Sequence, residues 1–82
     1  MRNIYLLRNE MKKNDLELER MRQDFSLIEV TEKIDKIFSE YEEEFNKIYL
    51  TSQYDTESSY DEFLEMTREM ILNKEISFAD IF

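Results

Sequence analysis

Between Ser26 and Leu50 the chain carries one wide apolar stripe, and the rest of the sequence is arranged around it. Leu27, Val30, Ile34, Ile37, Phe38, Tyr41, Phe45, Ile48 and Tyr49 recur at intervals of three and four, the spacing of one helix face. With Tyr41 set at zero and about 100° per residue, all nine fall within about 80° of it. Lys36, Glu40, Glu43 and Lys47 lie on the far side. Ser26 and Glu29 have the spacing of a capping box, in which the hydroxyl takes an orphan amide and the carboxylate reaches back. The stretch therefore predicts a helix over 27–50 onto which the flanking segments pack.

A second pattern precedes it. Ile4, Leu7, Met11, Asn14, Leu18, Met21, Phe25 and Ile28 alternate by three and four over four heptads. This is the a/d seam of a coiled coil with Asn14 as its polar member, and it predicts a helix over about 3–24. The seam suits packing against the chain's own second helix, and it also offers a homodimer interface. Leu6 and Leu16 lie off it, a further apolar spot on the same helix. The register fails between Phe25 and Thr31, where either the helix ends around Asp24 and restarts at Ser26 or one long helix passes through a stutter. With no Gly or Pro to mark a turn the pattern leaves both open, and the capping box at Ser26 favours a tight break. Residues 51–59 have no period and are rich in Ser, Thr and Asp, which reads as a loop. Ser59 and Glu62 form the next capping-box pair and open a helix over 60–73, with Tyr60, Phe63, Leu64, Thr67, Met70 and Ile71 as its inner face. Residues 77–82 read as a short terminal turn with Ser77 at its N-cap and Ile76 able to staple to Ile81. The expected fold is a small all-α domain: a helical hairpin, a third helix and a C-terminal turn. The absence of Gly and Pro agrees with it.

Eighty-two residues make one domain with little core to spare. With no Cys there is neither a disulfide nor a thiolate metal site, and with no His the commonest general base and metal ligand is missing. The longest apolar run, Ile4 to Leu7, is far short of the roughly 20 residues that span a bilayer, and the first residues do not resemble a secretory leader. The expectation is a soluble, cytoplasmic protein that is not an enzyme and holds no cofactor or metal. Carboxylates alone can serve some hydrolases, but here they sit on solvent faces where nothing raises a pKa. The run Asp55 to Asp61 resembles a calcium loop only loosely. An EF-hand needs Gly at its sixth position and an acid at its twelfth, where this chain has Tyr60 and Met66.

The net charge of −9 is lopsided. Residues 1–36 hold eight acids and eight bases, whereas residues 37–82 hold twelve acids and three bases. The acidic half gathers Glu40, Glu42, Glu43, Glu44, Asp55, Glu57, Asp61, Glu62 and Glu65, with Tyr54 among the interleaved aromatics. Such a charge excess can serve solubility alone. Carboxylates held on rigid helices also reproduce the charge spacing of a nucleic-acid backbone and so address Lys/Arg grooves, with tyrosines as anchors. Direct nucleic-acid or membrane binding is not expected, because the bases of the first helix are mixed with acids. In size, charge and composition the chain is similar to the small acidic inhibitors encoded by phages, including anti-CRISPR and other anti-defence proteins. The composition, rich in Ile, Asn, Lys, Phe, Tyr and Met, is what AT-rich codons encode and points to a low-GC bacterium or a mobile element within one. That resemblance implies a non-enzymatic inhibitor that mimics nucleic acid on a basic protein surface. A structural helical homo-oligomer or complex subunit, and an immunity protein or antitoxin, fit the same features.

Overall fold

The computed structural model describes residues 4–51 and 58–82, and among them every regular element is helical. α1 spans Ile4–Asp24, α2 Leu27–Glu40, α3 Glu42–Thr51, α4 Tyr60–Leu72 and α5 Phe78–Ile81. The small all-α domain expected from the periodicity is what the chain forms. No helix among the described residues is long and apolar enough to cross a membrane.

The break between α1 and α2 falls where the capping signal puts it. Ser26 is in an extended conformation and its hydroxyl accepts from the Glu29 amide. The same arrangement opens α4, where Ser59 accepts from the Glu62 amide. In both pairs the hydroxyl also donates to the glutamate carboxylate. The fully reciprocal box is at Ser77: Asp80 donates its amide to the Ser77 hydroxyl, and Ser77 donates its own amide to the Asp80 carboxylate.

The predicted helix over 27–50 is divided. The backbone at Tyr41 leaves helical geometry, with φ −117° and ψ 32°, and α3 starts at Glu42. Neither Gly nor Pro causes this. Glu42, Glu43 and Glu44 occupy the first turn of α3, where carboxylates meet unpaired amides and the positive end of the helix dipole. In an unbroken helix they would repel one another mid-span. Tyr41 stays buried at the junction and its hydroxyl donates to Glu10 of α1 at 3.0 Å. Most of the stripe is buried as its spacing implies: Val30, Ile34, Ile37, Phe38, Tyr41 and Phe45. Leu27 is an exception, exposed at the α1–α2 corner beside Phe25 and Ile28.

The α1 seam is filled from within the chain. Leu7, Met11 and Leu18 belong to the same buried cluster as Ile34, Phe45, Ile71 and Phe78, with Met21 packed against it. Asn14 is half-buried, Phe25 is exposed, and the side chain of Ile4 lies outside the described residues. A homodimer through this seam would have to open the core, since Met11 and Leu18 are already covered by other helices of the same molecule. On α4, Thr67 and Ile71 are buried, Tyr60, Phe63 and Leu64 are partly so, and Met70 turns outward.

The terminal turn is an integral part of the core. Phe78 is fully buried and meets Phe38 and Phe45 edge-on, with ring centroids 5.7 and 6.0 Å apart. Phe82 packs on Phe45 at 5.2 Å. Such pairs contribute about 0.5–1.5 kcal/mol beyond their buried area. Asp15 of α1 holds this element in place by accepting from the amides of Phe78 and Ala79 at 2.8 and 3.0 Å. Arg22 does the equivalent for the end of α4, donating to the carbonyls of Ile71 and Leu72 at 2.6 and 2.9 Å. α4 closes with the Glu75 amide on the Met70 carbonyl and the Lys74 amide on the Ile71 carbonyl. This is a Schellman motif, and Lys74 takes its left-handed position at φ 62°.

Candidate functional site

The acidic residues converge on the junction between α2 and α3. Glu40 ends α2, and Glu42, Glu43 and Glu44 begin α3. Two open depressions flank this corner. The larger, about 1010 Å³, has Glu40, Glu43 and Glu44 along its rim, with Leu7, Ile48 and Phe82 supplying apolar surface. The second, about 480 Å³, lies between α2 and α4 and is lined by Glu42, Asp61 and Glu65 together with Asp35, Tyr60 and Arg68. Glu42 lines both. Residues far apart in sequence, 40–44 and 61–65, thus form one acidic corner, because α4 returns along α2 with its first turn beside the α2–α3 junction.

Within the second depression the charges are unequal in freedom. Arg68 donates to Asp35 at 2.7 Å, so the one cation lining the cleft is already engaged. Tyr60 stands beside Tyr49 and Phe63 in an aromatic cluster, with centroids 5.5 and 6.3 Å away. Its hydroxyl is buried without a hydrogen-bond partner among the described residues. Burial pushes the Tyr60 phenol above its usual 10, and the negative charges of Glu42 and Asp61 push the same way. The neighbouring Tyr49 hydroxyl donates to the Ser58 carbonyl at 2.7 Å and ties the start of α4 to α3.

Of the acids singled out in the sequence, Glu40, Glu42, Glu43, Asp61 and Glu65 are exposed at this corner, and Glu44 is half-buried there. Glu62 lines neither depression and sits on the outer face of α4. Tyr54, Asp55 and Glu57 lie outside the described residues, as do residues 55–57 of the calcium-like run. Among the described residues no cluster of Asp and Glu has the geometry to hold a metal ion. Several of the acids also serve the fold directly. Glu42, Glu43, Glu44, Asp61 and Glu62 occupy first turns of helices, where negative charge stabilises by about 0.3–1 kcal/mol. The cleft residues Asp35 and Arg68 were not singled out from the sequence. Their signal was one acid and one base at the edges of the inner faces of α2 and α4, legible only once the pairing of the two helices is known. No protein-family model, curated protein or solved structure matches the chain.

Proposed function

We propose that this protein is a non-enzymatic binding module whose acidic corner docks on a basic surface of another protein. In its most concrete form it is an inhibitor of the phage or mobile-element kind that occupies a nucleic-acid-binding groove. The observation that carries this reading is the convergence of Glu40, Glu42, Glu43, Asp61 and Glu65 around two open depressions whose one lysine, Lys47, and one arginine, Arg68, leave the balance strongly negative. A carboxylate surface on three helices is rigid, and rigid charge raises the local concentration of a basic partner and steers its approach. The apolar surface beside Glu43 and Glu44, from Leu7, Ile48 and Phe82, supplies contact area that charge alone does not.

The test is capture from an extract of the cells in which the protein is expressed, the host cells where a mobile element encodes it, followed by competition with duplex DNA. Glu40, Glu43, Asp61 and Glu65 changed together to Lys take the net charge from −9 to −1, since four reversals add eight units. All four are exposed. Glu43 and Asp61 also stand in helix first turns, where losing the negative charge costs about 0.3–1 kcal/mol each, so circular dichroism first establishes that the variant is folded. The reading expects nucleic-acid-handling partners that duplex DNA displaces from the wild type and that the four-Lys protein fails to retain. Partners retained equally by both proteins and indifferent to DNA would refute it.

A further inference from the structure

We propose that the chain self-associates through two faces that take no part in its core: the outer face of α1 and the outer face of α4 of a second copy. Four of the five acids of α1 are engaged by neighbouring elements, and Asp24, exposed at the end of the helix, is the exception. Glu10 accepts from Tyr41, Asp15 from the α5 amides, Glu17 pairs with Lys33, and Glu19 with Lys74. The opposite face is left with Asn9, Lys13, Leu16, Arg20 and Gln23, all exposed. At about 100° per residue the first four lie in a wedge about 60° wide. Leu16 is 67% exposed, and neither Lys13 nor Arg20 has an ion pair among the described residues.

α4 presents the complement. Glu62, Met66, Glu69 and Asn73 share a wedge about 60° wide. All four are exposed, Met66 at 59%, and no cation stands among them. The two faces match in register as well as in sign. Laid antiparallel, Asn9 meets Asn73, Lys13 meets Glu69, Leu16 meets Met66 and Arg20 meets Glu62. The cations are seven residues apart and so are the anions, a rise of about 10.5 Å on either helix. Both faces point to solvent within one molecule, so they can meet only between copies. The contact is head-to-tail, and it leaves Glu40 to Glu44 uncovered. About 20 Å of paired helix is a small interface, of the size found in transient complexes, so association belongs in the submillimolar range.

Sedimentation velocity from about 20 μM to about 1 mM tests this. The wild type should sediment faster as concentration rises, passing beyond dimer because a head-to-tail contact propagates. Lys13→Glu with Arg20→Glu should remain monomeric, as should Glu62→Lys with Glu69→Lys, each confirmed as folded by circular dichroism. An equimolar mixture of the two variants should regain the wild-type behaviour, because each reversed face then meets a reversed partner. Lys36→Glu with Lys47→Glu changes net charge as much as the first variant but touches neither face, and should associate like the wild type. A wild type that stays monomeric at 1 mM, a mixture that stays monomeric, or a control that loses association would each overturn the proposal.

Discussion

The Tyr60 hydroxyl is the most exposed weakness at the scale of single residues. A buried hydroxyl without a partner costs about 1–3 kcal/mol, and here two carboxylates raise the cost of ionising it. Tyr60→Phe removes the orphan and keeps the ring contacts, so it should stabilise the fold by about 1 kcal/mol in urea denaturation. The pH dependence has a definite sign. A phenol whose pKa is raised on folding holds its proton longer folded than unfolded. Its contribution is therefore complete below about pH 10 and is lost as pH rises through the higher folded value. The alkaline limb of a stability-against-pH curve should be shallower in Tyr60→Phe than in the wild type. Lys74 is the second local weakness. Its φ of 62° suits glycine, and the chain contains none. Lys74→Gly should raise stability by about 0.5–1 kcal/mol, measured in the same way. The exposed ion pair to Glu19 that it loses is worth little.

Among the elements, α5 depends most on a residue remote in sequence. Asp15 lies 63 residues before Phe78, and its carboxylate supplies two charge-assisted bonds to the start of that helix. Asp15→Ala should cost about 2 kcal/mol in chemical denaturation and release Phe78 and Phe82, seen as faster amide exchange over 77–82. Unchanged protection there would show that ring packing alone holds α5. This dependence also marks the limit of what could be read in the sequence. The helices, their inner faces and their caps are local, so three-and-four spacing and Ser-x-x-acid pairs reveal them. The division at Tyr41 is also local, and its signal was the carboxylate block that favours a helix start over a helix middle. The placement of Asp15, Arg22, Asp35 and Arg68 is different. Each meets a partner at least 33 residues away, and a one-dimensional pattern does not specify which helix edges face each other. The seam shows the same ambiguity. Leu7, Met11 and Leu18 announce a buried face, but period alone does not say whether a second copy or the chain itself buries it. For the candidate site, the acids were legible as a charge excess. Their convergence needed α4 to run back along α2.

On the scale of the whole molecule, charge and burial are arranged separately. The core is continuous from α1 through Phe45 to Phe78, so the corner around Glu40 to Glu44 rests on a packed base and binding there need not reorder the backbone. The basic-apolar face of α1 and the acidic faces of α3 and α4 leave the molecule polar in the electrical sense, and on that asymmetry the proposed function has negative potential focused at the α2–α3 junction. The direct measurement is a ¹⁵N–¹H correlation spectrum of the protein titrated with an arginine-rich dodecapeptide at moderate salt. Focused potential predicts shifts concentrated on the amides of residues 40–45 and 61–65, largely abolished when Glu40, Glu43, Asp61 and Glu65 are Lys. Shifts spread in proportion over all exposed acids, with Glu19, Glu29 and Glu75 responding as strongly as Glu43, would contradict it.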